Sequence, residues 1–418
     1  MPAPSATAPA SICIVRLSAL GDVVMVLPLI KMLRRNWPAA RITWIVGRDA
    51  LPLVAPLANT ATATADNNNV TANNNAVEII PIEKPRRPAD YLALRRQFKN
   101  RDFDALLCLQ ASWRANLIYP CIRARRKIGY SPDRAKDLHA LFTRERIPPA
   151  PPRSHIIDGF FQFAETLGAA RDASDYAAPW GLAIAPEARA WAAQTLPAAP
   201  WLAVAPCASK HERNWAPENY ATVIAHAWRA RKMPAILLGG PGESDRALSA
   251  QIRHRLDADV TQTGDSGLRT PDSVTGTRDA GLGARGAVFA DLTGQTTLPQ
   301  LAAAIAHPHC AALLAPDTGA VHIARAFGRP VIGLYAVAPA TRTGPYRETG
   351  YCIDKFAAAV ARFTNNKTTA DTTATDDATT DTDATAALPW SFRVHDPRAM
   401  QLITPDEVRA QLAKLLNA

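Results

Sequence analysis

Residues 11–46 run as apolar strand, small-residue turn, amphipathic helix and apolar strand. Residues 11–15 (Ser-Ile-Cys-Ile-Val) are β-rich, and Arg16-Leu17-Ser18-Ala19-Leu20-Gly21-Asp22 forms the turn. Apolar residues then recur at helical spacing to about Arg35, and 41–46 (Arg-Ile-Thr-Trp-Ile-Val) make the second run. Such a unit closes as two parallel strands with a right-handed crossover. Runs at 76–82 and 104–109 extend the series, which predicts a parallel, Rossmann-like sheet.

The pattern restarts at 201–205 (Trp-Leu-Ala-Val-Ala). Helices are predicted over 217–231, 244–256, 298–306 and 319–327, with strands over 235–238, 288–292, 311–315 and 331–335. Strand and helix alternate again, so a second parallel sheet follows. A chain of 418 residues also exceeds what one hydrophobic core usually serves. The expected fold is therefore α/β with two domains, 11–168 and 201–400, joined by the Ala- and Pro-rich stretch 169–200. A last amphipathic helix within 401–418 should pack back on the body. Stretches 59–76, 261–286 and 364–387, dominated by Asn, Thr, Asp, Gly and Ala, read as mobile inserts. They hold too few apolar groups to offset the entropy of ordering.

The net charge of +10 draws the chain to anions. Basic residues gather at 86–87, 95–96 and 123–127 without the interleaved aromatics that stack bases, so nucleic acid is not an expected partner. Phosphorylated small molecules and an anionic membrane face remain. No apolar run is long enough to cross a bilayer, and residues 1–10 lack the basic flank and apolar stretch of an export signal. A cytoplasmic chain is expected. Cys13, Cys108, Cys121, Cys207, Cys310 and Cys352 are dispersed, with no C-x-x-C pair, and read as free thiols.

Ligands of open parallel sheets bind outside the carboxyl ends of the strands. Three loops of the second half stand there. In Ala315-Pro316-Asp317-Thr318-Gly319-Ala320-Val321-His322 the amides of Thr318 and Gly319 would open a helix, where hydrogen bonding and the dipole both favour phosphate. His322, one turn in, could reach the same anion; equally, Asp317 could be a helix cap and His322 a packed core residue. Ser209-Lys210-His211-Glu212-Arg213-Asn214-Trp215-Ala216-Pro217 offers basic side chains to a diphosphate, Arg213 above all, or else a solvated loop anchored by Trp215. Gly239-Gly240-Pro241-Gly242-Glu243 admits close backbone approach, and Glu243 could accept two ribose hydroxyls; a plain glycine turn fits as well. In the first half, Asp22 is the acidic residue of its turn, suited to take a proton or to cap the helix. No His and Asp cluster with metal-ligand spacing lies near these loops, so no metal is expected.

Together, Ser18-Ala19-Leu20-Gly21-Asp22-Val23-Val24, the Arg-x-Trp-x-Pro element from Arg213 to Pro217, Gly-Gly-Pro-Gly-Glu, Asp291-Leu292-Thr293-Gly294 and Asp317-Thr318-Gly319 with His322 resemble glycosyltransferase family 9, the ADP-heptose:lipopolysaccharide heptosyltransferases. The likeness runs from Ile12 to the closing Ile403-Thr404-Pro405-Asp406-Glu407-Val408, the three inserts aside. It implies a GT-B architecture, two Rossmann-like domains whose sheets face across a cleft, and a metal-independent, inverting transfer without a cofactor. A heptose would pass from ADP-heptose to a lipid A-linked core oligosaccharide of lipopolysaccharide, with the enzyme peripheral on the inner face of the cytoplasmic membrane. On that pattern Asp22 is the general base, Ser209 and Arg213 face the donor phosphates, and Glu243 holds the ribose. Asp317 contacts the donor sugar, and Thr318, Gly319 and His322 hold the diphosphate. Another nucleotide-sugar transferase or epimerase, or a catalytically silent nucleotide-binding module, would keep the diphosphate loops without needing Asp22.

Overall fold

The computed structural model describes residues 8–59, 76–151, 153–263, 289–364, 385 and 388–417. The inserts expected at 59–76, 261–286 and 364–387 lie almost wholly outside them. The first sheet contains β1 (Ser11–Val15), β2 (Arg41–Gly47), β3 (Glu78–Ile82), β4 (Asp102–Cys108), β5 (Arg123–Gly129) and β6 (Glu145–Arg146), all parallel, in the order β3-β2-β1-β4-β5-β6. The central strand β1 is buried along its whole length because it is covered on both faces. Its alternate residues Cys13 and Val15 join a core with Phe98, Leu106, Ile118 and Tyr119. That face lies under the crossovers running from β3 through β6. On the first half of the chain, the helix Leu27–Asn36 packs against the helix Ile156–Thr166.

The second sheet contains β7 (Trp201–Val204), β8 (Ala235–Leu237), β9 (Phe289–Asp291), β10 (Cys310–Pro316), β11 (Val331–Tyr335) and β12 (Ile353–Asp354). They too are parallel, in the order β12-β11-β10-β7-β8-β9. Each sheet thus has its first strand at the centre, with chain growth outward on one side and then on the other, the doubly wound plan. The order reverses between β1 and β4 in one sheet and between β7 and β10 in the other, which sets where each carries its crevice.

Two compact units divide the chain, one of Met1–Ala183 with Pro389–Ser391, the other of Ile184–Leu388 with Phe392–Ala418. The division falls inside the stretch 169–200, which is not bare linker: it holds the helices Ala173–Tyr176 and Pro186–Thr195. Most predicted elements recur within a residue or two. The segment after β1 is broken into two helices, Leu20–Val24 and Leu27–Asn36, where Pro28 opens the second. The cluster 123–127 is strand β5, hidden from pattern reading by its charges. Those charges are largely paired: Arg123 Nε lies 3.0 Å from Asp102 Oδ1, Arg126 Nη2 lies 2.6 Å from Glu145 Oε2, and Lys127 Nζ donates to Tyr119 O at 2.8 Å. The closing helix, Pro405–Leu416, starts with a reciprocal cap in which Glu407 N donates to Thr404 Oγ1 and Thr404 N to Glu407 Oε2. Its Val408 and Leu412 enter the core of the second unit beside Trp215 and Tyr220. Among the described residues no helix is long and apolar enough to cross a membrane. All six cysteines are free.

Candidate active site

In the first unit the apolar run of β1 stops at Val15, and the next residue is an arginine at the carboxyl end of the central strand. Arg16 is mostly buried there. Its guanidinium forms an ion pair with Asp22, donates from Nη1 to Leu109 O at 2.5 Å, and lies 5.7 Å from the ring centre of Phe160. The Asp22 Oδ2 atom also accepts from Ala19 N at 3.2 Å, so the helix-capping reading and the pairing hold together. The loop after β4 supplies the rest: Leu17 N donates to Gln110 Oε1 at 2.8 Å, Tyr130 Oη to Leu109 O at 3.1 Å, and Tyr119 Oη to Gln110 O at 2.5 Å. Gly47 N donates to Leu17 O at 3.2 Å, and a Cβ at residue 47 would overlap that carbonyl. The turn is therefore braced from β2, β4 and β5 at once. Asp22 keeps 24% of its side-chain surface, which leaves an oriented carboxylate able to take a proton from an incoming hydroxyl.

The crevice of the second unit is also set around an arginine and an aspartate. The loop after β7 tightens through a short 3₁₀ turn, His211–Arg213, while Asn214 Oδ1 accepts from Ala208 N at 2.7 Å. Trp215 anchors it, fully buried with its ring edge-on to Tyr220 at 5.0 Å and Nε1 donating to Ile403 O at 2.9 Å. Arg213 consequently turns inward, not out to solvent, and its Nη1 sits 3.1 Å from Asp317 Oδ2. Asp317 is not the helix cap: that place belongs to Thr318, whose side chain makes no capping bond. Without that cap, the first-turn amides of Gly319–Ala326 stand where an anion is favoured. His322 is buried one turn further in.

The Gly-rich turn is held from two sides. Gly240 N donates to Asp245 Oδ1 at 2.9 Å, and Gly294 N donates to Gly239 O at 3.0 Å. Gly294 has φ +71°, and a Cβ there would stand 3.2 Å from Pro241 Cα, so residue 294 must be glycine for the turn to seat. Asp291 in turn accepts from Thr293 N at 2.9 Å and pairs with Arg253 Nε at 3.2 Å. The Asp-Leu-Thr-Gly motif is thus a brace for Gly-Gly-Pro-Gly. Glu243, first residue of the helix Glu243–Thr263, and Ser209 are exposed and bond neither to Arg213 nor to Asp317 among the described residues.

Of the predicted residues, the structure brings Arg213, Asp317, Thr318 and Gly319 into one crevice and sets Asp22 in another. Sequence reading missed Arg16, Gln110, Asp245, Arg342 and Thr343. Thr343 Oγ1 donates to Asp317 Oδ2 at 3.2 Å, and Arg342 is buried nearby, its guanidinium brought down to about 10 chiefly by desolvation. A charge directly abutting an apolar strand, as at Arg16, was the one available signal. Thr343 follows β11 and had none.

The family model for glycosyltransferase family 9 (heptosyltransferase) matches residues 91–265 and 277–369. The chain belongs to glycosyltransferase family 9. This family 9 chain is 29% identical over 412 residues to a lipopolysaccharide core heptosyltransferase, OpsX, of Haemophilus influenzae, covering 98% of the chain and 97% of the relative. It is 22% identical over 338 residues to lipopolysaccharide heptosyltransferase 3 of Escherichia coli, covering 78% and 83%. Its fold matches a family 9 glycosyl transferase from Veillonella parvula with a TM-score of 0.66 at 17% identity, over 98% of this chain and 97% of that one. It also matches the Escherichia coli ADP-heptose lipopolysaccharide heptosyltransferase II at 0.62 and 18%, over 97% and 98%. The two Rossmann-like units are those of the GT-B class.

Proposed function

We propose that this glycosyltransferase moves a heptose from ADP-heptose to a lipid A-linked inner-core sugar of lipopolysaccharide, inverting the anomeric centre in one displacement. The observation that carries this reading is the Arg213–Asp317 pair beside the uncapped amides of the Gly319–Ala326 helix. A nucleoside diphosphate bound there would take those amides and exchange its charge with the guanidinium. Asp317, held by Thr343, would then be turned toward the donor sugar. Ser209 is assigned to the phosphates, Glu243 to the ribose, and Thr318, Gly319 and His322 to the diphosphate.

The first unit supplies the base. The acceptor hydroxyl forms the new bond to the anomeric carbon as the bond to the β-phosphate breaks, its proton passes to Asp22, and ADP departs with the electron pair. One base and no enzyme nucleophile suffice. Basic side chains and helix amides take the charge of the leaving diphosphate, so the reading needs no metal and no cofactor. Basic surface and a lipid-linked acceptor support attachment to the inner face of the cytoplasmic membrane.

The test is Asp22→Asn with ADP-heptose and a set of truncated core acceptors, read by mass. Transfer should fall by about 10²- to 10⁴-fold while ADP affinity by calorimetry stays unchanged, because the base acts only as the hydroxyl attacks. Full turnover in the variant would remove Asp22 from the mechanism; wild-type silence toward every core acceptor would sink the reading.

A further inference from the structure

We propose that one face of the first unit, built on the Trp113–Asn116 helix and the His139–Leu141 turn, is a docking surface for an anionic lipid bilayer, seated by Trp113, Leu138 and Leu141. It rests on the reading of the acceptor as lipid-linked. The large apolar side chains exposed among the described residues are Leu92 at 56%, Trp113 at 51%, Leu138 at 60% and Leu141 at 74%. Every one belongs to the crossovers from β3 to β6 of the first sheet. Single exposed apolar residues are ordinary; their collection on one group of crossovers in one unit is not.

These side chains are held outward by structure. Asp137 and Leu138 take φ of +53° and +60°, a left-handed stretch that a leucine adopts only when its surroundings impose it. The surroundings are plain: buried Asn116 donates from Nδ2 to Lys136 O at 3.2 Å and to Asp137 O at 2.7 Å. Asp137 Oδ2 accepts from Trp113 N at 2.9 Å, which locks the loop to the helix. Leu141 N donates to Leu138 O at 2.9 Å, which closes the 3₁₀ turn His139–Leu141 directly onto the left-handed residue. Tyr91 Oη donates to Arg114 O at 3.5 Å, setting the Leu92-bearing helix Pro88–Gln97 alongside.

Charge identifies the occupant. Arg95, Arg96, Arg114 and Lys136 are exposed on these same segments. The carboxylates among them are turned to backbone amides, Asp137 to Trp113 N and Asp90 to Arg86 N and Arg87 N. A tryptophan and leucines in a field of arginine and lysine suit the boundary between headgroups and acyl chains of an anionic leaflet. The surface and the base share a loop: Leu109, which accepts from Arg16, lies four residues before Trp113.

The test is co-sedimentation of the full chain with vesicles of phosphatidylethanolamine and phosphatidylglycerol, against phosphatidylcholine alone, at low and high salt. Binding is expected to the anionic vesicles and to weaken with salt. Trp113→Ser and Leu138→Asn, the latter chosen because asparagine accepts the left-handed backbone, should each weaken it by about tenfold. Arg114→Gln and Lys136→Gln should each weaken it about fivefold. Transfer to a deacylated, soluble acceptor should be unchanged in all four. No binding by the wild type at low salt, or variants that sediment as it does, overturns the proposal. So does a dimer in sedimentation velocity that Trp113→Ser dissolves, since a second copy would then cover the face. Vesicle binding that the variants lose, in a protein inactive toward every acceptor, supports the surface while sinking the proposed function.

Discussion

Asp22 and Asp317 share a device: each is a carboxylate beside a helix start, Asp22 in the first turn of Leu20–Val24 and Asp317 just before Gly319–Ala326, turned by a neighbouring arginine with little exposure. A guanidinium is suited to this because its planar fork fixes both distance and direction. Arg16→Met should therefore cut transfer by about tenfold or more through loss of orientation, with ADP affinity unchanged in calorimetry. Equal loss of ADP binding would show that Arg16 serves the fold instead. Another residue contributes to the pH response. His139 is buried between Tyr119 and Tyr130, with Nδ1 at 2.7 Å from Asn116 Oδ1, and burial pushes its imidazole down from 6.5 to about 4. The unfolded chain takes up a proton below pH 6.5 that the folded chain refuses until about pH 4. Stability present above pH 6.5 should therefore be lost as pH falls through that window, by up to about 3 kcal/mol. Urea midpoints against pH should show this slope, reduced in His139→Gln.

Among elements, apolar composition decided what was legible. Strands β1, β2, β7, β10 and β11 are buried almost throughout and were read from their runs of Ile, Val, Leu and Ala. β5 was not, because Arg-Ala-Arg-Arg-Lys has the composition of a solvated run. Its charges are tolerated near the sheet edge only because Asp102 and Glu145 stand opposite them. β6 and β12 are two residues long, too short to show any period. The closing helix Pro405–Leu416 was legible from its amphipathic spacing, and the structure adds its Thr404–Glu407 cap. Thr404→Ala should cost about 1 kcal/mol in denaturant unfolding, since Glu407 N loses its acceptor and Glu407 Oε2 loses the Thr404 hydroxyl. An unchanged midpoint would mean that burial of Val408 and Leu412 holds the helix alone.

At the scale of the whole molecule, ligand binding and stability are linked. Free ADP at a hundred times its dissociation constant should stabilise the chain by about 2.7 kcal/mol. Asp22→Asn should keep that shift and Arg213→Met should lose most of it, as thermal unfolding with and without ADP would read; the reverse result would exchange the roles of the two units. Alternation of apolar strand and helix was sufficient, from sequence alone, to specify two parallel sheets and to place Asp22, Arg213 and Asp317 past strand ends, because local periodicity and burial are properties of short segments. Which loops meet was decided only by tertiary structure. Leu17 finds Gln110 at a separation of 93 residues, and Arg213 finds Asp317 at 104, because β1 pairs with β4 and β7 with β10. Strand order is a matter of which backbones share hydrogen bonds after the chain has wound outward and back, and no run of residues records it.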